Sequence, residues 1–250
     1  MTEYAEFARF YDAVNNSPEP RSRKMLRYIE QHLPTASSVL ELGCGTGAVL
    51  AGLGSGFALT GIDRSSHMLS FARRRCPQAQ LHEADITSFS LGRQFDVVLC
   101  VYDTLNHVTD LEGWRAVVER VREHLREGGL FIFDLNTLGR LRRLGDALPW
   151  VHDFEGNTLV MDVEFDEDHA RSYWDIRVFE QLDGDRFVLH RDEIVELGVP
   201  LDQVRAMLAP HFELLDEADP DGDPPTDESA RAYFVYRRRA LTVGASMGVS

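Results

Sequence analysis

VLELGCGTG, Val39 to Gly47, decides the reading of this chain. Ser38 to Leu42 is a short apolar run of the kind that forms a buried strand, and it ends in glycine at Gly43, Gly45 and Gly47. Glycine accepts positive φ and lets backbone N–H groups approach a ligand closely. The next residues, Ala48 to Leu53, read as a short helix whose N-terminus would face the same turn. In an open α/β sheet, the crevice at the carboxyl ends of the strands is where ligands bind.

Outward from this turn the chain alternates. Phe57 to Asp63 reads as a second strand, and Ser65 to Arg75 as a helix with Ser65 or Ser66 as N-cap. Ala79 to Ala84 is a third strand, and FDVVLCV, Phe95 to Val101, a largely apolar fourth. Leu111 to Arg126 is a helix stopped by Gly128-Gly129, and Leu130 to Leu135 a fifth strand. Repeated β-α units with right-handed crossovers imply a doubly wound parallel sheet covered by helices on both faces. The pattern breaks after about Thr137. Thr158–Phe165, Ser172–Leu182 and Phe187–Leu197 alternate in hydropathy and are separated by acidic turns. They predict a three-stranded antiparallel insertion. Leu201–Leu208 then reads as a helix. FELLDEA from Phe212 and AYFVYRR from Ala232 complete a mostly parallel, seven-stranded α/β sheet as a hairpin-like pair of edge strands. In front of the core, Thr2 to His32 reads helical, broken at Ser17-Pro18. The expected organisation is a helical cap over 1–34, a core over 35–140 and 198–241, an insertion over 141–197 and a disordered tail over 242–250.

Composition narrows the function. The chain has 250 residues, 44% of them hydrophobic, enough for a substantial core. A net charge of −15 disfavours nucleic-acid partners, which require a cationic footprint. Its 3 cysteines form neither a disulfide framework nor a zinc motif, and no metal cluster is visible, so a reducing, cytoplasmic setting is expected. No apolar run reaches the ~18 residues of a membrane span, and the first residues lack the features of a signal peptide. Lys24 is the single lysine among many arginines, which suggests a GC-rich, bacterial coding sequence.

The glycine turn alone leaves two cofactors open. Gly43-x-Gly45-x-x-Ala48, with Asp63 downstream, also satisfies a loose dinucleotide fingerprint, so an NAD-dependent oxidoreductase is an alternative. Asp63 could also be a helix cap, and Asp85 a simple loop acid. Three features tip the balance: Glu41 just before the first glycine, Asp85 at the end of the third strand, and the C-terminal strand pair with its long acidic loop.

Together these resemble the class I S-adenosylmethionine-dependent methyltransferases. The resemblance implies that Gly43, Gly45 and Gly47, with Cys44 between them, accommodate the amino-acid and ribose parts of S-adenosylmethionine. Glu41 would support the loop or the ligand's amino group. Asp63, beside Arg64, would accept from both ribose hydroxyls. Met68 would pack near the adenine, and Asp85 and the Ile86 N–H would recognise its edge. Cys100 to Tyr102 would flank the methionine part, and Tyr11 would close over it.

For the acceptor, VYDTLNHV (Val101 to Val108) follows the fourth strand, where similar enzymes line the transfer site. His107 is the candidate general base, with Tyr102 beside it as a second catalytic candidate. Asn106, Trp150, His152, Tyr173 and Trp174 are the further candidates for substrate binding. The Asn/Asp-Pro-Pro-Tyr/Phe and Pro-Cys motifs of enzymes that methylate nucleic acids or glutamine are missing. The inserted subdomain resembles those of amino-sugar and glycine N-methyltransferases. The expected acceptor is thus a small amine or hydroxyl compound, and exposed strands in the insertion make a homodimer plausible. A cofactor-binding protein without catalysis is a further alternative.

Overall fold

The computed structural model describes residues 7–14 and 19–240. The break expected at Ser17-Pro18, the start of the first helix and the tail over 242–250 lie outside the described residues.

After a 3-10 turn at Phe7–Arg9 come α1 (Tyr11–Val14) and α2 (Glu19–His32). The core then runs β1 (Ser38–Leu42), α3 (Ala48–Leu53), β2 (Ala58–Asp63), α4 (Ser66–Arg75), β3 (Gln80–Glu83) and β4 (Phe95–Cys100). It continues through a 3-10 turn at Thr104–His107, α5 (Leu111–His124) and β5 (Leu125–Leu135). Next are α6 (Leu138–Gly145), β6 (Trp150–Phe154), β7 (Asn157–Asp166), β8 (Arg171–Gln181) and β9 (Phe187–Leu197). The chain returns to the core with α7 (Leu201–Leu208), β10 (Phe212–Ala218) and β11 (Ala232–Arg238).

The seven-stranded sheet has the order β10-β11-β5-β4-β1-β2-β3, and β11 runs antiparallel to both its neighbours. Every residue of β1 is buried, as expected of a central parallel strand covered on both faces. One layer packs Trp114, Val117 and Val121 of α5 and Val204 of α7 against the sheet. The other packs Met25 and Ile29 of α2, with Leu50 of α3 and Leu69 of α4. Side-chain caps set the helix starts. Ser65 accepts from Met68 N–H at 3.3 Å, and Asp110 accepts from Gly113 N–H at 2.7 Å.

The sequence reading needs four corrections. Helix α5 ends at His124, before the glycines, because Leu125 is fully buried and already pairs with Phe95. Gly128, at φ +76°, serves a register shift inside β5 instead of a helix stop. The insertion has four strands, β6-β7-β8-β9, not three. Its first strand, β6, is short and mostly exposed, so WVHDF carries no burial pattern to read. Helix α6 was also missed: it is short and rich in arginine, with only Gly139 and Leu141 buried. Finally, of the last two strands β10 alone lies at the sheet edge, because β11 inserts between β10 and β5.

The N-terminal residues pack on the insertion. Phe7, Phe10 and Val14 share a core with Phe154, Leu159, Ile176, Val178 and Ile194. Asp12 ties this cap to the glycine loop, bonding Thr46 Oγ1 at 2.8 Å and Arg75 at 2.7 Å. Cap, insertion and core therefore meet above the carboxyl ends of the central strands.

Candidate active site

A cavity of ≈ 260 Å³ opens at the carboxyl ends of β1 to β4. Each strand delivers something to it. After β1, Gly43 and Gly45 line the cavity at φ +64° and +52°. A Cβ on Gly43 would sit 2.4 Å from Thr104 Cγ2, whereas a Cβ on Gly45 would meet open space. β2 ends at Asp63, whose carboxylate accepts from Gly45 N–H and Ser65 N–H, both at 2.8 Å. Burial pushes the Asp63 carboxyl up, and these two N–H donors pull it back. Arg64, Ser65 and Met68 continue the wall. After β3 come Asp85, Ile86 and Thr87; the Asp85 carboxylate accepts from Thr87 N–H at 2.7 Å and Thr87 Oγ1 at 2.6 Å. After β4 the wall is Tyr102, Thr104, His107 and Val108, and Tyr11 of the cap closes it.

The turn after β4 is strained and clamped. Tyr102 and Asp103 adopt φ +61° and +55°, unusual for residues with a Cβ. The fully buried carboxylate of Asp134, on β5, accepts both of their N–H groups, at 3.2 and 2.9 Å. Arg231 then donates to Asp134, to Asp103 at 2.7 Å and to Asn136 Oδ1 at 3.0 Å. Arg231 draws the Asp103 carboxyl below its ordinary range although burial opposes this. Asp134 and Arg231 were not found from sequence. FDL and ARAYF read as ordinary strand surroundings, and only the fold brings them under the Tyr102 turn.

A second cavity of ≈ 200 Å³ adjoins the first, and the two share Tyr11 and Tyr102. It lies between cap, insertion and core, lined by Arg21, Asp103, Asn136, Arg140, Trp150, Trp174, Glu196 and Arg231 among others. The phenol of Tyr11 is held well above its ordinary range by burial, with Asp103 adding to the effect. Glu196 accepts from Asn136 Nδ2 at 2.9 Å, and burial beside Asp103 pushes its carboxyl up to about 8.

The expected site residues therefore divide. Tyr11, Gly43, Gly45, Asp63, Arg64, Met68, Asp85, Ile86, Tyr102 and His107 line the first cavity. Trp150 and Trp174 line the second. Glu41 lines neither; it is buried under the loop, where the Leu50 N–H donates to it and burial holds its carboxyl well above the usual range. Gly47 caps α3 at φ +74° against Ala72, away from the cavity wall. The side chains of Cys44 and Cys100 turn into the core, because each occupies a position buried by sheet packing. Asn106 is fully buried and structural: its amide donates to Asn136 O and Leu197 O, both at 3.0 Å. His152 stacks between Trp150 and Phe154 on β6, outside both linings. Tyr173 alternates to the outer face of β8 and is 42% exposed.

Three donor groups also converge that spacing along the chain did not suggest. Ligand atoms of Asp103, His107 and Glu196 lie within 4.8 Å of one another. The Asp103 carboxylate there is already engaged by the Arg231 guanidinium.

Comparison with known proteins agrees with this geometry. Residues 39–129 match the family model described as a methyltransferase domain. A Streptomyces fradiae dTDP-3-amino-3,6-dideoxy-alpha-D-glucopyranose N,N-dimethyltransferase is 33% identical over 134 residues, 52% of each chain. The chain thus spans about half the length of the curated relatives it matches. Among solved structures, an S-adenosylmethionine-dependent methyltransferase from Clostridium acetobutylicum superposes with TM-score 0.83 at 22% identity, covering 95% of this chain and 99% of the other. A sugar N-methyltransferase from Streptoalloteichus superposes with TM-score 0.74 at 25% identity, covering 94% and 93%. Over residues 39–129 this chain is similar to a methyltransferase domain, and its fold is that of the S-adenosylmethionine-dependent methyltransferase from Clostridium acetobutylicum.

Proposed function

We propose that the chain transfers a methyl group from S-adenosylmethionine to an amine on a small-molecule acceptor. The observation that carries this reading is the pair of adjoining cavities sharing Tyr11 and Tyr102, one built on the glycine loop and Asp63, the other closed by the insertion. The residues present suit the cofactor. The glycine loop leaves its backbone open to the first cavity, the half-buried Asp63 carboxylate suits hydroxyls, and Met68 and Ile86 supply apolar surface for a ring.

When bound, the cofactor supplies a methyl group already activated by a sulfonium, so the protein's main task is alignment. Asp63, fixed by two backbone donors, orients the cofactor. Tyr11 and Tyr102 narrow the passage between the cavities, and cap and insertion keep water from it. An amine reacts only when neutral, and His107, which lines the first cavity with its Nε2 4.0 Å from Asp103 Oδ2, is the proposed acceptor of its proton. Similar proteins named N,N-dimethyltransferase or N-methyltransferase support an amine over a hydroxyl acceptor.

Parallel calorimetric titrations with S-adenosylmethionine, S-adenosylhomocysteine and NAD test the reading. Micromolar affinity for the first two and none for NAD is expected. Binding of NAD alone would return the nicotinamide alternative. Cofactor binding without turnover of any amine would favour a protein that binds but does not catalyse. Pairing of two copies through the insertion, which leaves Val151, Phe187 and Leu189 exposed, belongs to the same proposal and is read by light scattering.

A further inference from the structure

The second cavity holds charge that the described residues do not neutralise in full. Of its three arginines, Arg231 is saturated by Asp103, Asp134 and Asn136. The other two form no ion pair among the described residues, although Arg21 donates to the hydroxyls of Tyr102 and Tyr233. The Arg21 guanidinium stacks over the Tyr102 ring, 3.4 Å from its centroid, which fixes its plane. Its Nη1 is buried and finds no acceptor among the described residues. Arg140 forms no ion pair among the described residues, and its proton is held less tightly than usual because of burial and the neighbouring charges of Arg231 and Arg143. Glu196, the remaining carboxyl of this wall, is itself pushed up by burial, so it brings little negative charge near neutral pH. A buried guanidinium N–H left without an acceptor is costly, and the groups that suit it are carboxylate and phosphate oxygens.

We infer that the second cavity is the acceptor subsite and that Arg21 and Arg140 bind an anionic group, a carboxylate or a phosphate, carried by the amine to be methylated. The inference rests on the methyl-transfer reading and adds the class of acceptor to it. With Tyr102 beneath Arg21 and also on the cofactor cavity, an anion held here directs the other end of a short acceptor toward the passage between the cavities. Trp150, Trp174 and Ile176 supply apolar surface for the carbon skeleton between the two ends.

The test uses the full chain loaded with S-adenosylhomocysteine and three amines that share an aminoethyl unit: ethanolamine, β-alanine and O-phosphoethanolamine. Calorimetry should show at least tenfold tighter binding of β-alanine or O-phosphoethanolamine than of ethanolamine, and which of them gains identifies the anion. Arg21→Met and Arg140→Met should each reduce that advantage to threefold or less. Arg140 lies away from the cofactor cavity, so Arg140→Met should leave S-adenosylhomocysteine affinity within twofold and stands as the readout if Arg21→Met fails to fold. Equal binding of all three amines, no binding of either anionic amine, or an advantage that survives Arg140→Met would overturn the inference while leaving cofactor binding intact. Failure of the wild-type chain to bind S-adenosylhomocysteine would overturn the methyl-transfer reading, and this inference with it.

Discussion

The backbone N–H of Gly45 donates to the Asp63 carboxylate across 2.8 Å, so the loop after β1 and the acid ending β2 are one hydrogen-bonded unit. Asp63→Ala removes the carboxylate offered to the cofactor and frees the loop at once. A loss of about 1.5–3 kcal/mol in S-adenosylhomocysteine affinity is expected, the range for hydrogen bonds to a charged group. Calorimetric titration checks it, and near-normal affinity would remove Asp63 from the binding site.

Gly43 and Gly45 make a matched pair of substitutions. Both need the left-handed region, which costs a residue with a Cβ about 1–2 kcal/mol. Gly43→Ala adds a collision with Thr104, while Gly45→Ala projects into space. Thermal unfolding should therefore show the larger drop for Gly43→Ala. An equal drop would show that backbone strain alone decides both.

The Arg231–Asp134 pair supports the strained turn at Tyr102 and Asp103. Arg231→Met leaves two acidic side chains buried beside each other without their cation. Breaking a buried pair in this way costs about 3–5 kcal/mol. Urea unfolding measures the cost. A change below about 1 kcal/mol would mean that solvent reaches the cluster.

His107→Ala tests the proton acceptor. General-base catalysis is worth about 10²–10⁴-fold, so kcat on an amine should fall at least about a hundredfold. S-adenosylhomocysteine affinity should change far less. Unchanged kcat would make His107 a wall residue and leave the amine to arrive already neutral.

Asp96 gives a pH signature. Burial pushes its carboxyl up, but Ser37, Ser38 and Arg126 outweigh this and hold it at about 2. Its folded value is thus depressed, so the stability it contributes is present above the ordinary carboxylate range near ~4 and is lost as pH falls toward 2. Asp96→Asn should flatten the stability curve between pH ~4 and ~2. An unaltered acid limb would place the slope elsewhere.

Much of the core was legible because its signals are local. Ser38–Leu42 is mostly apolar and buried along its whole length, as a strand covered on both faces requires, and the glycines after it mark a turn that needs positive φ. Asp63 and Asp85 could be read as neighbours because Asp63 ends β2 and Asp85 follows β3, the parallel strand beside it. Where the reading slipped, a local rule met a tertiary demand. Gly128 looked like a helix stop, but Leu125 already belonged to the sheet. Cys44 sits in the glycine turn and Cys100 at the end of β4, yet the side chains of both pack into the core.

The sequence by itself thus determined the α/β sheet, the glycine loop and the acids that follow the strands, because strand burial and backbone conformation are written in adjacent residues. Only the tertiary structure decided the Asp134–Arg231 clamp, the shared walls of Tyr11 and Tyr102, and the arginine-lined second cavity. Those depend on residues far apart in the chain, and charges become partners, or fail to, only when folding excludes water around them.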